Sequence, residues 1–258
     1  MSRSWPGPSE EQLRADIAAT SQAIHALGWV ANHDGNISAR LGPQRLLCTP
    51  TATSKGDVTA AMLLVLDDEG TVLSGSRRPF SEMHLHRAAL KARPDIGVVL
   101  HAHPPHATAF AVSATRLDPT IMAEPIVSLG ANIPTVSFDK PKDPRLDRAL
   151  GEALQSSDVV ILENHGVLTV GGSSEQAFLR MELVEHLARI TIQAKVLGGA
   201  RPLERSVIEA LSARGRPASV PCFSDVRPAP AAPRPVHSAV AGRPDVQGLV
   251  TDAWKRFK

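Results

Sequence analysis

Short apolar runs alternate with stretches of helical spacing along this chain, and the alternation predicts an α/β protein. The segment Ser9-Glu10-Glu11-Gln12 forms a capping box that opens a helix reaching about Leu27, and Gly28 ends it. After the turn at Asp34-Gly35-Asn36, short apolar runs predict an antiparallel meander. Its four strands are expected at residues 37–41, 45–49, 63–66 and 71–73.

The second half of the pattern predicts further helices and strands. A helix from about Ser81 to Lys91 stops near Arg93-Pro94, because proline cannot continue a helix. One apolar strand then ends at His101-Ala102-His103, and another ends at His165. Other helices are expected at residues 105–112, 146–154, 174–197 and 204–211, short strands at 126–129 and 135–138, and a hairpin strand at 167–170.

Composition divides the chain into one folded region and two tails. Residues 1–8 are expected to be disordered, and residues 9–212 are long enough for one large α/β domain. Residues 213–258 are rich in proline and alanine, which is typical of a linker or disordered tail. A short amphipathic helix could form in this tail from about Val246 onward.

Charge and cysteine content narrow the classes of function. The 258 residues carry a net charge of +2 with scattered basic side chains, which argues against a nucleic-acid partner. The apolar runs are far shorter than a membrane span, and the N-terminus lacks the shape of a signal peptide. Two distant cysteines do not form a disulfide framework and indicate a reducing compartment. We therefore expect a cytoplasmic protein that acts on a small molecule.

Three histidines form the most informative pattern in the sequence. Residues i and i+2 of a strand point the same way, so the imidazoles of His101 and His103 should lie close together. His165 ends another apolar strand, and Glu82 precedes the first pair by about twenty residues. Three imidazoles and a carboxylate are a usual ligand set for catalytic Zn²⁺ or a similar ion, whereas strand-end histidines can also be hydrogen-bonding caps. The pattern predicts a divalent metal site.

Further groups near these motifs are candidates for the same pocket. Glu82 is expected at the start of a helix, where the dipole favours a carboxylate, and near a metal it could act as an acid/base group. We interpret His86, one turn later, as a supporting or core residue. His106 is either a pocket wall or a solvent-facing group.

Small polar turns at strand ends suggest an anion site. Such turns can gather amides and hydroxyls around a phosphate or carboxylate, and a lysine would add a point charge. The candidates are Asn36, Thr51 and Lys55.

Taken in order, these motifs resemble the class II aldolase/adducin family, and the L-fuculose-phosphate aldolase-like members are closest in pattern. The resemblance covers about residues 10–200. The segments that carry it are Gly35-Asn36-Ile37-Ser38, Thr49-Pro50-Thr51, Ser81-Glu82-Met83-His84-Leu85-His86, Arg93-Pro94-Asp95, His101-Ala102-His103-Pro104 and Asn164-His165-Gly166. The resemblance implies a central, mainly antiparallel sheet flanked by helices, and tetramers whose sites lie at subunit boundaries.

The resemblance also implies an activity, which is that of a metal-dependent carbon–carbon lyase. It would carry out retro-aldol cleavage of a hydroxy-keto sugar or sugar phosphate through a metal-stabilised enediolate, with Glu82 as the acid/base group. The metal would be Zn²⁺, with Mn²⁺, Co²⁺ or Fe²⁺ as alternatives because imidazole suits several of them. Its ligands would be His101, His103 and His165, and an anion would be bound by Asn36, Thr51 and Ser81.

Three departures from the aldolase pattern affect this expectation. Phe80 stands where many aldolases have serine, which removes a hydroxyl and adds an apolar surface to the expected pocket. Ala52 replaces a glycine, and both changes disfavour a phosphorylated substrate. The chain also contains no tyrosine, whereas the aldolases use one from a neighbouring subunit for the hydroxyl proton. His106 or Glu124 would have to take that role, or the reaction does not require it.

The missing tyrosine leaves other activities open. Decarboxylation of a β-keto or related activated acid develops the same negative charge without deprotonating an alcohol. Epimerase relatives carry an aspartate where this chain has Glu82, which argues mildly against a sugar-phosphate epimerase. A non-enzymatic, adducin-like module would not need all four candidate metal-site residues.

The long helix predicted at 174–197 suggests self-association. Its stripe of Met181, Val184 and Ala188 is extended by further apolar residues at Leu183, Leu187 and Ile190. A helix that is apolar over more than one face needs two partners. We expect a homo-oligomer, and the family resemblance favours a tetramer.

Overall fold

The computed structural model describes residues 7–137 and 143–214 of the chain. The expected disorder of the first six residues, the Pro/Ala-rich tail beyond residue 214 and its terminal helix lie outside these ranges. Seven α-helices occur within them: α1 (Glu10–Ala26), α2 (Met83–Ala92), α3 (Pro105–Ala111), α4 (Ala123–Leu129), α5 (Pro144–Ser156), α6 (Ser174–Val196) and α7 (Arg205–Ser212).

Eight strands of the described chain form one sheet. They are β1 (Asn36–Gly42), β2 (Arg45–Cys48), β3 (Leu64–Asp67), β4 (Val72–Ser74), β5 (Val98–Ala102), β6 (Thr135–Val136), β7 (Val159–Leu162) and β8 (Gly166–Gly171). Their order is β4-β3-β2-β1-β5-β8-β7-β6, and every pair is antiparallel except β6 with β7. The expected mainly antiparallel sheet flanked by helices is confirmed.

Buried side chains fall into two clusters, one on each face of the sheet. The first joins the sheet to α1, α3 and α6, and the second joins it to α2 and α5. Strand β5 shows how alternation divides them, because Val98 and Leu100 belong to the first cluster and Val99 to the second. His101 follows the parity of Val99, so its side chain is directed to the α2 face. The sheet is thus covered on both faces. The histidines lie where the central strand β5 ends.

The helix starts agree with the capping signals in the sequence. Ser9 Oγ accepts a hydrogen bond from Gln12 N at 3.1 Å, and Ser173 Oγ accepts one from Gln176 N at the same distance. Each serine satisfies an amide that the helix itself leaves unpaired. No helix in residues 7–137 and 143–214 is both long and apolar enough to cross a membrane.

One predicted strand is wrong. Residues 126–129, expected as a strand, lie in helix α4. Pro125 occupies the first turn, where its missing N–H costs nothing, and Ile126 and Leu129 are buried at a spacing of one helical turn. The neighbouring strand is confirmed only at Thr135–Val136, and Phe138 lies outside the described residues.

Candidate metal centre

The imidazoles of His101, His103 and His165 converge at the end of β5. Nε2 of His101 lies 3.0 Å from Nε2 of His103 and 3.2 Å from Nε2 of His165. A tetrahedral ion with metal–nitrogen bonds of about 2.0–2.1 Å holds its ligand nitrogens roughly 3.3 Å apart. The three Nε2 atoms therefore have the spacing that one divalent ion requires, and within residues 7–137 and 143–214 they are the group that could hold a metal.

The other nitrogen of His101 fixes the tautomer that metal binding needs. His101 Nδ1 lies 2.9 Å from the carbonyl oxygen of Val167 on the adjacent strand, so Nδ1 carries the proton and Nε2 presents its lone pair. Burial lowers the pKa of His101 to about 3, and the neighbouring imidazoles lower it further while Glu82 opposes them. Burial and the nearby His165 also lower the pKa of His103. Both rings are neutral at pH 7, which is the form that coordinates metals.

Local backbone geometry places each histidine. His101 lies within β5, and the amide of His103, just beyond the strand, donates to the carbonyl of Trp29 at 2.8 Å. His165 sits in the loop between β7 and β8, where Asn164 adopts a left-handed φ of 55°. Asparagine tolerates this conformation better than most residues. The Asn164-His165-Gly166 segment is therefore a tight turn that returns the chain beside β5.

Because Gly166 has no side chain, the imidazoles of His101 and His103 can lie next to it. A Cβ atom at this position would lie 2.5 Å from Cδ2 of His103 and 2.8 Å from the carbonyl oxygen of Ala102. Both distances are shorter than real carbon contacts, and the second involves backbone that cannot rotate away. The side chain of residue 166 must therefore be absent for the three rings to meet.

Glu82 lies directly against this cluster. Its Oε1 is 2.9 Å from His165 Nε2, its Oε2 is 3.6 Å from His101 Nε2, and Asn36 Nδ2 donates to Oε2 at 2.7 Å. Burial alone would raise the pKa of this carboxyl, but the hydrogen bond with His165, the charge interaction with His101 and the Asn36 hydrogen bond together hold it below its usual range. Glu82 is therefore ionised, and it can serve as a further ligand or as a proton acceptor.

The predicted anion residues are only partly brought together. Asn36 contacts Glu82, and the antiparallel bridge between Pro50 and Pro79 places the turn of Thr51 beside the segment leading to Ser81. Thr51 N donates to the carbonyl of Arg78 at 2.9 Å, and Ser81 is exposed.

Lys55 must be corrected as an anion-binding candidate. Its side chain is buried, and Nζ donates to the carbonyls of Thr53 at 2.7 Å and of His33 at 3.1 Å. It therefore ties two loops together inside the fold. Arg77, which was not among the predicted anion-binding residues, is exposed and reaches the same turn, donating from Nη1 to Thr53 Oγ1 at 3.2 Å.

Phe80 and His106, the two possible pocket residues, each contact a group outside the histidine cluster. The ring of Phe80 is 8% exposed, belongs to the second core cluster and makes an edge contact with His86 at 4.8 Å between centroids. His106 lies in the first turn of helix α3, and its Nδ1 is 2.6 Å from a carboxylate oxygen of Glu185 in α6. The buried carboxylate of Glu185 also accepts hydrogen bonds from the backbone amides of His106 and Ala107, and it thereby fixes the start of α3.

Sequence reasoning missed the groups that support the site from outside it. Asp34 Oδ2 lies 3.8 Å from Nδ1 of His103, and Ser38 Oγ lies 2.8 Å from Nδ1 of His86. The sequence signal for Asp34 was its place in the Asp34-Gly35-Asn36 turn. The signal for Ser38 was its spacing of two residues from Asn36, which places both on the same face of a strand. Neither signal identifies its partner without the three-dimensional pairing of the strands.

Comparison with known proteins assigns the chain to a family. The profile of the Class II Aldolase and Adducin N-terminal domain matches residues 15–192, more than half of the chain. The chain therefore belongs to the class II aldolase/adducin family, as the sequence motifs indicated.

Individual relatives differ in the reaction that their names state. The chain is 28% identical to the 3-oxo-tetronate 4-phosphate decarboxylase of Haemophilus influenzae, over 76% of this chain and 93% of that protein. It is 26% identical to the 5-deoxy-D-ribulose 1-phosphate aldolase of Bacillus thuringiensis serovar kurstaki, over 78% of this chain and 94% of that protein. The crystal structure of YgbL from Klebsiella pneumoniae superposes with a TM-score of 0.72 at 28% identity, covering 80% of this chain and all of that one.

We predict that Gly166→Ala weakens metal binding more than it destabilises the fold. The added methyl group would push His103 and the backbone at Ala102 away from their positions, so the three Nε2 atoms could no longer share one ion. Metal content after dialysis should fall at least about tenfold, in the range expected for disturbing the support of a ligand.

The matched control for this variant is Gly151→Ala. Gly151 lies in helix α5, where an added Cβ meets Ala92 Cβ at 3.4 Å and no imidazole. This variant should keep its metal. Full metal retention by Gly166→Ala would contradict the site geometry.

Proposed function

We propose that this protein is a divalent-metal-dependent carbon–carbon lyase. The observation that carries the proposal is the convergence of three imidazole nitrogens, with His101 Nε2 at 3.0 and 3.2 Å from the other two and an ionised carboxylate 2.9 Å from His165 Nε2. Three imidazoles with an adjacent acid/base group suit a reaction in which negative charge develops on substrate oxygens. A divalent ion held there, Zn²⁺ or another that imidazole suits, would supply the Lewis acid for that charge.

Retro-aldol cleavage is the first candidate reaction. In this reaction the hydroxyl proton must leave as the carbon–carbon bond breaks, and a proton must reach the carbon that is released. Glu82 is ionised and can accept the hydroxyl proton, and the same carboxyl can then deliver it to carbon. Glu82 alone would then take up and return the proton. A chain with no tyrosine could complete this reaction if Glu82 reaches both the hydroxyl oxygen and the carbon.

Decarboxylation is the second candidate, and the absence of tyrosine favours it. Loss of CO₂ from a 3-oxo acid leaves the bonding electron pair on the substrate, and no alcohol has to be deprotonated. The substrate carbon that lost the carboxylate then takes one proton, which Glu82 would relay from water. Similarity to the 3-oxo-tetronate 4-phosphate decarboxylase of Haemophilus influenzae supports this alternative.

The distal end of the substrate is proposed to be anionic. Thr51 and Ser81 lie on two segments joined by the Pro50–Pro79 bridge, and Arg77 adds a guanidinium at the edge of the same turn. Because Phe80 packs into the core, its ring does not screen this region from water, which removes one reason to expect weak phosphate binding. Both curated relatives named above act on phosphate esters by name, and we propose the same class here.

A product-resolved assay tests the function. The metal-replete protein should be offered hydroxy-keto sugar phosphates, the corresponding free sugars and 3-oxo acid phosphates, with aldehyde and CO₂ measured separately. We expect turnover of one phosphorylated class and at least tenfold lower kcat/KM for its dephosphorylated form. Equal activity on both forms would contradict the anion site, and no cleavage of any member would contradict the lyase assignment.

We predict that Glu82→Gln keeps the metal and lowers turnover by about two to four powers of ten. The amide matches the carboxylate in shape and can still contact Asn36, but it cannot accept a proton. Glu152→Gln is the control, because Glu152 is an exposed residue of helix α5. Near-normal turnover of the Glu82 variant with full metal content would reduce this residue to a structural role.

We also propose self-association, but through residues other than the Leu183 and Leu187 named in the sequence analysis. Leu187 is buried within its own chain and Leu183 packs against the same core. One group of exposed apolar side chains lies at the end of α6 and just beyond it, where Ile192, Val196 and Leu197 are 37%, 84% and 87% exposed. Covering these residues would remove apolar area from water, so we propose a homo-oligomer, most simply a tetramer.

Light scattering tests the assembly. We expect the wild-type mass to equal that of two or more chains, most simply four. A Val196→Glu, Leu197→Glu double variant should shift the mass toward that of the monomer. Leu27→Glu, at an exposed leucine after α1, is the control for added charge. A wild-type mass equal to one chain would remove the proposal.

A further inference from the structure

Two hydrogen bonds join strand β1 to the helix that carries Glu82. Asn36 and Ser38 are two residues apart on β1 and therefore face the same side of the sheet. Glu82 and His86 are four residues apart at the start of α2 and share one helix face. Asn36 Nδ2 donates to Glu82 Oε2 at 2.7 Å, and Ser38 Oγ lies 2.8 Å from His86 Nδ1. The two contacts are parallel rungs, and only the first touches the acid/base residue.

The Ser38–His86 rung is fully buried. Both side chains are 0% exposed, and the edge of the His86 ring contacts Phe80. In the described parts of the chain, His86 Nε2 has no hydrogen-bond partner. A buried imidazole with one nitrogen unpaired is costly, so its retention here calls for a reason beyond filling space.

The strand side of the rung is held firmly. Ser38 pairs with Cys48 of β2 on one side and with Val99 of β5 on the other, in the centre of the sheet. Asn36 pairs in the same register with His101, which is one of the three converging imidazoles. The rung therefore links helix α2 to the strand pair that carries the histidine cluster.

Two further hydrogen bonds also hold α2: Arg40 Nη2 of β1 donates to the carbonyl of Leu90 at 2.9 Å, and His84 Nδ1 lies 2.7 Å from Asp147 Oδ1. The remaining buried residues on α2 are apolar: Met83, Leu85, Ala89 and Leu90. Apolar packing is not directional and tolerates small sliding movements, whereas a hydrogen bond fixes distance and angle. Between β1 and α2, the Ser38–His86 contact lies one helical turn from Glu82, whereas the Arg40–Leu90 contact lies two turns away. The Ser38–His86 contact therefore bears more directly on where Glu82 lies along the sheet.

We propose that Ser38 and His86 are positioning residues that fix the Glu82 carboxylate relative to the three imidazoles. The proposal rests on the acid/base role of Glu82 proposed above. A displacement of α2 by a fraction of an ångström would leave the fold and the histidines in place. It would move the carboxylate from the atoms between which it transfers protons, and reaction rates are sensitive to such displacements.

The first test is Ser38→Ala in the full-length, metal-loaded protein. We expect kcat to fall about tenfold, with KM and metal content changed less than about twofold. Ser21→Ala is the matched control, because Ser21 is also buried and hydrogen-bonded, to the carbonyl of Ile17 in α1. It should leave kcat unchanged. Unchanged kcat in Ser38→Ala would overturn the proposal, and the near-isosteric Ser38→Cys replaces it if the alanine variant does not fold.

The second test exploits the geometry of the imidazole. An asparagine at position 86 places its amide near the position of Nδ1, whereas a glutamine places its amide near that of Nε2. His86→Asn should therefore keep several-fold more activity than His86→Gln, although both remove the ring. The reverse order, or equal losses, would count against the Nδ1 contact with Ser38.

The deciding measurement is coupling to Glu82. If Ser38 acts through that carboxylate, Ser38→Ala should lower kcat less than about twofold in a Glu82→Gln background. The full tenfold loss in both backgrounds would show a general structural effect and overturn the proposal. Failure of the proposed function is recognised separately, because Glu82→Gln alone would then leave turnover unchanged.

Discussion

The mutual approach of three imidazole nitrogens is the constraint on which the rest of the site depends. Nε2 of His101 lies 3.0 Å from that of His103 and 3.2 Å from that of His165, a spacing that a shared cation or a shared proton makes favourable. The Val167 carbonyl fixes the tautomer of His101, and the absent side chain at Gly166 admits the ring of His103. The left-handed backbone of Asn164 also helps to bring these atoms together.

The two-sided sheet explains how such a site is made rigid. Because helices cover both faces, the central strands are buried on each side and their order is fixed. Away from the histidines, Arg93 pairs with Asp95 and with Asp158, which in turn contacts Arg180 of α6. These ion pairs lie in a half-buried setting where hydrogen-bonded charge pairs are well oriented. The start of β5 is thereby tied to β7 and α6, while the other end of β5 carries the ligands.

The sequence predicted the elements with strong periodicity and the residues with distinctive chemistry. The His101–His103 pair could be predicted because strand parity is a local property, and Ser9 and Ser173 because caps are local too. Residues 126–129 could not be assigned correctly, since a short apolar run fits a strand or a helix equally well. The surroundings of Lys55 and Phe80 could not be predicted for another reason: whether a side chain points into a cleft or into the core depends on long-range pairing, such as the Pro50–Pro79 bridge. The proposed anion and acid/base roles stay predictions on the same ground.

The position of Glu82 relates the missing tyrosine to the choice of reaction. Its carboxylate lies against two of the three imidazole nitrogens, and Asn36 holds one of its oxygens while the other contacts His165. Retro-aldol cleavage would require Glu82 to take a proton from the hydroxyl and to return one to carbon, whereas decarboxylation would require it only to supply carbon with a proton from water. Both routes can be written with Glu82 alone. The second avoids the alcohol deprotonation that the missing tyrosine would otherwise serve.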